Sequence, residues 1–259
     1  MQDSGTSYLY VPRQASLTSE VTSSSEFNLG WIDNLGTGFA LGGEGFGVKL
    51  RSDSAPEFFD FHPGGETYDI DDNGQVAIVL SDGGQIRFVN GEDDAPTGSV
   101  SGDPELVAVI SDYEGVVAQG AQLRSFNVGN GDNFPETPLG PPLLERVVDI
   151  EWFSPGTVLA ATPSDVLRLI DDVWQPLGPL PYEDFIVSQL EGTSDNDLWI
   201  LGIDRSNQRQ VAHWDGSVWS KVNMRAEPLD LAIAGDAIAV LFRQIDGVGA
   251  RIFHRIYSQ

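Results

Sequence analysis

The sequence predicts an all-β fold made of six similar units. A short apolar strand recurs along the 259 residues, and its first apolar residue stands at positions 39, 76, 116, 158, 198 and 238. Polar turns separate the strands, as at Asp72-Asn73-Gly74 and Asp215-Gly216, and no segment shows a sustained helical period. Four short strands per unit of about 40 residues are typical of a propeller blade. We therefore predict a six-bladed β-propeller of four-stranded antiparallel blades.

Each predicted blade has the same order of strands, and the recurring apolar strand is the second. The first strand runs over 27–32, 67–70, 106–110, 147–152, 185–190 or 229–233. The third strand runs over 48–50, 86–89, 123–126, 166–170, 211–214 or 251–256. A weaker fourth strand follows in most copies, for example at 57–61, 174–177 and 219–222. One such sheet cannot cover both of its own faces, so a radial arrangement buries each face against the next blade.

Closure of the ring is predicted to involve both ends of the sequence. The last unit has three clear strands, and the alternating segment 7–11 precedes the first complete unit. We predict that 7–11 supplies the outer strand of the last blade; the alternative is an N-terminal arm that lies on the surface. Residues 1–6 are expected to be disordered. The predicted domain is a single propeller of residues 1–259, with blades at about 27–65, 66–104, 105–145, 146–182, 183–226 and 227–259.

The composition excludes several classes of protein. The chain has 14 Lys and Arg against 39 Asp and Glu, a formal net charge of −25, which repels nucleic-acid phosphates. There is no Cys, so disulfides, thiolate metal sites and a Cys nucleophile are excluded. No run of 18 or more apolar residues exists, so we expect no membrane span. Because like charges repel, we expect a monomer.

The fifth unit contains a recognisable repeat motif. It reads Ser194-Asp195-Asn196-Asp197-Leu198-Trp199, followed by His213-Trp214-Asp215-Gly216 and then Trp219. This segment resembles the repeat of secreted bacterial β-propeller proteins. The resemblance implies a propeller fold and an extracellular or periplasmic location, with any leader already removed, because the polar N-terminus lacks the features of a signal peptide. It implies no particular activity, because propellers serve many functions.

Three aspartates in first strands form a candidate metal site. Asp69, Asp149 and Asp230 stand at similar places in units two, four and six. If they point into the channel, their oxygens suit Ca²⁺; the alternative is that they face water or pair with a neighbouring Arg. Asp71 and Asn73 add a second, weaker candidate, because 69–74 resembles the start of a calcium loop. The alternative there is an ordinary acidic hairpin turn.

A basic or imidazole side chain recurs in the predicted third strand. The residues at this position are Lys49, Arg87, Arg124, Arg168, His213 and His254. We expect them to lie over apolar neighbours and to pair with an acid on the next strand or blade. A ring of cations that binds an anion is the alternative.

These observations favour a binding protein over an enzyme. The sequence contains no nucleophile elbow, zinc-protease motif or P-loop, although the many acids leave a two-carboxylate glycosidase open. Trp199, Trp214 and Trp219 are expected to pack between blades, whereas Trp31 and Trp152 are candidates for sugar stacking. The leading interpretation is a non-enzymatic binding and scaffolding module at the cell surface or in the periplasm, with a protein or glycan ligand. The alternatives are a polysaccharide hydrolase or lyase with an axial site, and a carbohydrate-binding lectin.

Overall fold

The fold is all-β in the part of the chain that the structure describes. The structure is a computed structural model, and it describes residues 27–32, 38–42, 46–50, 57–60, 67–72, 76–89, 96–111, 113–128, 133–154, 156–224, 227–234, 237–243 and 250–256. The helical content of these residues is a single 3-10 turn at Asp82–Gly84. No helix within these ranges has the length and hydropathy needed to cross a bilayer.

The described strands form six antiparallel sheets, and within each sheet neighbouring strands are neighbours in the chain. Sheet 1 contains β1 (Phe27–Ile32), β2 (Gly38–Gly42), β3 (Phe46–Leu50) and β4 (Glu57–Asp60). Sheet 2 contains β5 (Thr67–Asp72), β6 (Ala77–Ser81), β7 (Gln85–Val89) and β8 (Thr97–Ser99). Sheet 3 contains β9 (Leu106–Ser111), β10 (Glu114–Gln119), β11 (Gln122–Asn127) and β12 (Glu136–Pro138).

The remaining three sheets repeat the same order. Sheet 4 contains β13 (Asp149–Ser154), β14 (Thr157–Ala161), β15 (Val166–Ile170) and β16 (Val173–Pro176). Sheet 5 contains β17 (Ile186–Ser194), β18 (Asp197–Ile203), β19 (Arg209–Trp214) and β20 (Trp219–Val222). Sheet 6 contains β21 (Glu227–Ala234), β22 (Ala237–Arg243) and β23 (Ala250–Ile256). The prediction of antiparallel four-stranded sheets is confirmed, while the closing strand 7–11 lies outside the described residues.

The chain divides into two compact units. The N-terminal unit comprises Met1–Val117 and Arg124–Thr137, and the C-terminal unit comprises Ala118–Leu123 and Pro138–Gln259. Sheets 1 and 2 belong to the N-terminal unit, and sheets 4, 5 and 6 belong to the C-terminal unit.

In the C-terminal unit, both faces of sheet 5 are covered by neighbouring sheets. Leu198 and Ile200 of β18 belong to a core cluster shared with sheet 4, whereas Trp199 and Leu201 belong to a cluster shared with sheet 6. Successive side chains of a strand point to opposite faces, so a strand covered on both faces is an unbroken apolar run. This explains why the second strands appear in the sequence as short continuous runs of apolar residues.

In the N-terminal unit, three phenylalanines form the centre of the core. The ring centroids of Phe88 and Phe126 lie 6.2 Å apart, those of Phe88 and Phe134 lie 6.3 Å apart, and Phe126 and Phe134 stack at 5.9 Å. The Phe134 ring lies so close to Gly98 in β8 that an added Cβ atom would come within 2.6 Å of its Cζ atom. Position 98 therefore has room for glycine alone unless the ring moves.

The hairpin turns follow from the residues that form them. Ile170 pairs with Val173, and the two residues between them, Asp171 and Asp172, have φ values of 48° and 61°. Two successive positive φ values define a two-residue turn that matches the strand twist, and Asp adopts this conformation more readily than most residues. Asp82-Gly83-Gly84 forms the turn between β6 and β7, with φ 66° at Gly83.

Candidate functional site

Asp149, one of the predicted calcium ligands, joins two neighbouring sheets. The main-chain N–H of Leu190 in β17 donates to its Oδ2 atom at 2.7 Å, and the N–H of Ile150 donates to its Oδ1 atom at 2.9 Å. The bond to Leu190 therefore links the first strand of sheet 4 to the first strand of sheet 5. We call such a bond, from a first-strand side chain to the main chain of the next first strand, an inner-strand clip.

The N-terminal unit contains two further inner-strand clips. The N–H of Val107 donates to Asp69 Oδ2 at 2.8 Å, and the N–H of Val109 donates to Asp71 Oδ2 at 2.7 Å. Both bonds run from β9 to β5. Buried main-chain donors need a partner, and these carboxylates supply it between the first strands of sheets 2 and 3.

Gln189 forms the clip between sheets 5 and 6, and the sequence analysis did not find it. Its Oε1 atom accepts from the N–H of Leu231 at 3.1 Å, and its Nε2 atom donates to the carbonyl of the same residue at 2.8 Å. Gln189 stands 40 residues after Asp149, so the repeat spacing could have indicated it. The sequence analysis compared aspartates only, so it missed that the amide of Gln189 occupies the same repeat position as the carboxylate of Asp149.

The Asp149 carboxyl group titrates near neutral pH. Withdrawal from water raises its pKa to about 7, and the nearby charge of Asp230 acts in the same direction. The N–H bonds from Leu190 and Ile150 lower the pKa but do not outweigh burial. The clip between sheets 4 and 5 is therefore sensitive to pH, whereas the Gln189 clip carries no ionisable group.

The residues predicted to bind calcium are all engaged with the main chain wherever the structure describes them. Asp230 is exposed, and its Oδ1 atom accepts from the N–H of Leu231 at 3.1 Å. Asp149 and Asp230 interact electrostatically within the C-terminal unit, whereas Asp69 and Asp71 belong to the other unit. Asn73 lies outside the described residues. Over the described ranges, no group of three or more His, Asp or Glu residues has the geometry to hold a metal ion, and the calcium site stays a prediction.

The motif of the fifth unit forms a hydrogen-bonded network within sheet 5. Asp197 is its centre: Oδ2 accepts from Thr193 Oγ1 at 2.5 Å, and Oδ1 accepts from His213 Nε2 at 2.6 Å and from Trp199 Nε1 at 3.3 Å. The Trp199 and His213 rings lie against each other, with centroids 4.3 Å apart. We call these four residues the fifth-repeat network.

The fifth-repeat network keeps Asp197 ionised. Burial acts to raise the pKa of Asp197, but the hydrogen bonds from Thr193 and His213, together with the charge of His213, outweigh it and lower the pKa. The network joins the end of β17 to strands β18 and β19 of the same sheet. The recognisable motif therefore holds one blade together.

Recurring cations of the third strand pair with acids, as predicted. Arg124 Nη1 lies 2.7 Å from Glu136 Oε2 on the adjacent strand. Arg168 donates to the carbonyl of Asp195 at 2.5 Å and lies 3.5 Å from its carboxylate, in the next sheet. With His213 paired to Asp197, three of the six positions confirm the structural interpretation. The side chains of Lys49 and His254 lie outside the described residues.

Tryptophans of the fifth unit pack in the core, as predicted. Trp199, Trp214 and Trp219 are all buried, and the ring centroids of Trp214 and Trp219 lie 5.5 Å apart. Trp152 is only partly buried, while the side chain of Trp31 lies outside the described residues. The three buried rings therefore contribute to packing between sheets.

A loop of the C-terminal unit holds a leucine fully exposed. Leu144 lies between β12 and β13, and main-chain bonds fix the loop on both sides of it: Leu143 N donates to the carbonyl of Ala121 at 2.8 Å, and Val147 N donates to that of Gly120 at 2.7 Å. No periodic pattern marks this residue in the sequence, so the sequence analysis did not identify it.

The same loop is linked to the β14–β15 turn and to the start of β17. Glu145 accepts from the Ser164 main-chain N–H at 3.2 Å and from its hydroxyl at 2.9 Å. The preceding carbonyl, that of Pro163, accepts from Val187 N at 2.9 Å, next to Ile186, which is 57% exposed. Val187 packs in the core cluster shared with sheet 4, so the side chain of Ile186 points to the opposite face of β17.

Comparison with solved structures identifies the fold. The chain resembles YCF48 bound to a D1 peptide, at 14% identity over 79% of this chain and 72% of that one, with a TM-score of 0.57. It resembles YCF48 from Cyanidioschyzon merolae at 11% identity over 79% and 76% of the chains, with a TM-score of 0.56. It also resembles a chain of the mitotic checkpoint complex at 12% identity over 93% and 77%, with a TM-score of 0.63.

These likenesses concern the fold alone. They support a propeller-like arrangement of antiparallel four-stranded sheets. No family model and no curated protein sequence matches the chain.

Proposed function

We propose that this chain is a non-enzymatic propeller that binds another protein and acts as a scaffold. One observation carries the proposal: the four candidate site residues whose side chains the structure describes all accept main-chain N–H groups. Asp69, Asp71 and Asp149 each accept a hydrogen bond from a main-chain N–H of the next sheet. Asp230 accepts one from a main-chain N–H of its own strand. These carboxylates maintain the framework, and recognition is left to the exposed surface.

The similar structures support a protein ligand over a glycan. One is YCF48 bound to a D1 peptide, and another is a chain of the mitotic checkpoint complex. A peptide and a multiprotein complex are the partners that these names give for chains of this fold. We extend the same class of partner to this chain.

The proposal also includes the number of blades, the strand that completes the last sheet, the location of the protein and its monomeric state. The six recurrent strands of the sequence support six blades, with 7–11 completing the sheet of β21, β22 and β23. The resemblance of the fifth unit to secreted bacterial propeller proteins supports a site at the cell surface or in the periplasm. The net charge of −25 supports a monomer.

The test is a direct comparison of protein binding, glycan binding and polysaccharide turnover. The purified chain is immobilised, and partners are captured from an extract of the source organism. Each partner is then produced alone, and its Kd is measured by calorimetry. In parallel, a glycan array and a panel of polysaccharides are tested for binding and for the release of new chain ends.

The proposal predicts saturable binding of at least one purified protein, with Kd at about micromolar or tighter. Release of new polysaccharide ends that is lost in the Asp149→Asn variant would support the hydrolase or lyase instead. Binding confined to the glycan array would support the lectin.

A further inference from the structure

We propose that hairpin turns of sheets 4 and 5 together form a docking surface for a protein segment that carries both cationic and aliphatic side chains. The inference rests on the proposed function and assigns its contact site and the chemistry of its partner. We call this site the turn surface, and it consists of Ile170, Asp171, Asp172, Val173, Asp195 and Val218.

Exposed aliphatic side chains concentrate at the hairpins that join the third and fourth strands of these two sheets. Six large apolar side chains are exposed over the described ranges, and three of them flank these turns. Ile170 is 40% exposed and Val173 54% exposed at the β15–β16 turn, while Val218 is 57% exposed at the β19–β20 turn. Exposed apolar residues that cluster within a polar surround are typical of a protein-binding surface.

Contacts between sheets 4 and 5 place these turns at the same end of the two sheets. The Val187 N–H donates to the Pro163 carbonyl at 2.9 Å, so the beginning of β17 lies beside the β14–β15 turn. Arg168, two residues before Ile170, donates to the carbonyl of Asp195 in the β17–β18 turn. The first strands of the two sheets therefore run in the same direction, and the β17–β18 turn lies near the β15–β16 hairpin.

The exposed pair of sheet 4 faces sheet 5. Arg168 reaches sheet 5, and Ile170 points to the same face because it stands two residues later on the same strand. Val173 pairs directly with Ile170 and so shares that face. Trp174, which follows Val173, points the other way, and its Nε1 atom donates to the carbonyl of Pro141 at 3.1 Å. Both aliphatic side chains are therefore directed toward the turns of sheet 5.

The two turns of sheet 5 at this end touch each other. A Cβ atom added at Gly216 in the β19–β20 turn would lie 3.2 Å from the Cβ atom of Asn196, which neighbours Asp195 in the β17–β18 turn. The N–H of Val218 donates to Asp215 Oδ1 at 2.9 Å, which fixes the β19–β20 turn. The turn surface thus extends from sheet 4 through Asp195 to Val218.

Ionised carboxylates surround the aliphatic side chains. Asp171 and Asp172 are exposed at the tip of one hairpin, and Asp215 is exposed in the other. Hydrogen bonds from Val218 and Ser217 lower the pKa of Asp215, so its carboxylate is charged at neutral pH. A partner that covers the turn surface therefore meets several negative charges.

The cations of sheets 4 and 5 leave this end negative. Arg168 is the one that reaches it, and Asp195 already pairs with it at 3.5 Å. His213 is bonded to Asp197. The other described cations between positions 146 and 224 lie toward the opposite end: Arg146 after Glu145, which binds the β14–β15 turn; Arg205 and Arg209 at the β18–β19 turn; and Lys221, whose Nζ lies over the Tyr182 ring ahead of β17. The turn surface is therefore complementary to a cationic partner and repels an acidic one.

The experiment selects short linear peptides from a random phage-displayed library on the immobilised chain. The selected peptides are synthesised, and their Kd values are measured on the unmodified chain and on variants. Ile170→Thr with Val173→Thr alters sheet 4, and Val218→Thr alters sheet 5, because threonine keeps the branched shape that strands favour. Leu144→Thr with Ile186→Thr is the matched control, since these residues are exposed but lie outside the turn surface.

A second pair of variants tests the charge. Asp171→Asn with Asp172→Asn removes two carboxylates, and asparagine also accepts the positive φ values of this turn. Glu183→Gln with Asp184→Asn removes two carboxylates beside Arg205 at the opposite end and is the control. Unchanged melting temperatures verify that the variants are folded.

The proposal predicts peptides enriched in Arg or Lys together with Ile, Leu or Val. Their affinity falls about fivefold or more in each of the two apolar variants and stays within about twofold in the matched apolar control. The Asp171 and Asp172 double variant weakens binding and flattens its salt dependence, whereas the Glu183 and Asp184 control leaves both unchanged.

Four results would overturn the inference while leaving the proposed function standing. Full binding to both apolar variants would place the contact site elsewhere, and weakening in one of them alone would contradict a surface shared by the two sheets. Peptides rich in Asp or Glu would contradict the chemistry of the partner. Failure to enrich any peptide would overturn the turn surface as a peptide site, and the capture and calorimetry of whole protein partners would still decide the proposed function.

Discussion

Asp149 and Gln189 occupy the same repeat position, and each binds the main chain of the next sheet. The Leu190 N–H lies 2.7 Å from Asp149 Oδ2, and the Leu231 N–H lies 3.1 Å from Gln189 Oε1. One junction therefore depends on a group that ionises, and the next depends on a neutral amide. The two junctions are expected to respond differently to pH.

The Asp149→Asn variant tests this pH dependence. Because burial raises the pKa of Asp149 from its ordinary 3.8 to about 7, the folded state binds more protons than the unfolded state in that interval. The contribution of Asp149 to stability is therefore largest at low pH and falls as the pH rises from about 4 to about 7. Relative to the unmodified chain, the variant should gain about 1–3 kcal/mol of unfolding free energy between these limits.

Urea unfolding between pH 4 and pH 8 measures this difference. Asp171→Asn is the control, because it removes the same charge from an exposed turn at which Asn also accepts the positive φ. A difference between Asp149→Asn and the unmodified chain that stays constant with pH would contradict the role assigned to Asp149.

The fifth-repeat network is predicted to contribute stability that depends on Asp197 being charged. Because the folded-state pKa is lowered, this contribution is present above the ordinary pKa near 3.8 and is lost as the pH falls through the folded value. Asp197→Asn weakens the acceptor for His213 and Thr193, so we expect a loss of about 1–2 kcal/mol near neutral pH.

Thermal unfolding measures this loss, and Asp184→Asn serves as its control. Asp184 contributes to an exposed contact with Arg205 at 3.8 Å, and exposed ion pairs contribute little to stability. Equal losses in the two variants would mean that the network contributes nothing beyond a surface charge.

Gly98→Ala is predicted to destabilise the N-terminal unit by about 1–3 kcal/mol, because the new methyl group overlaps the Phe134 ring. Phe134→Leu in the same chain provides space for the methyl group. The double variant should therefore lose less than the sum of the two single losses. Urea unfolding of the three variants measures the coupling, and strict additivity would show that Gly98 and Phe134 do not constrain each other.

The calcium site predicted at Asp69, Asp149 and Asp230 is tested by comparing melting temperatures in EDTA and in millimolar Ca²⁺. A bound ion stabilises the folded chain, so the prediction is a higher Tm in Ca²⁺ and loss of that increase in Asp230→Asn. Asp230 is suited to this substitution because its main-chain bond lies within its own strand. An unchanged Tm excludes the site.

The sequence predicted the sheets well because their signal is local and repeated. The run Leu198 to Leu201 is apolar on both faces, and the structure covers both faces. The pairing of Arg168 with an acid was also predictable from its recurring position, but the identity of the partner, Asp195, depends on how sheets 4 and 5 pack. Spacing in the sequence contains no direct information about that packing.

The clips and the loop that contains Leu144 show where such prediction fails. Asp149 was singled out by its type and spacing, yet its contact with the Leu190 main chain has no counterpart in the sequence, because every residue except proline carries the same N–H group. The exposure of Leu144 is set by bonds to Ala121 and Gly120, which lie over twenty residues earlier in the chain. A leucine in a loop is indistinguishable by composition from one in a core.

A side chain that binds a backbone amide places no demand on the identity of the residue that contributes the amide. At each inner-strand clip, one residue must remain Asp or Gln, while the bond itself requires of its counterpart in the next repeat only a main-chain N–H, which every residue except proline has. Neighbouring repeats are thus able to drift apart during evolution without loosening their junction. This asymmetry offers a physical reason why the six repeats of this chain share a spacing but so few residues.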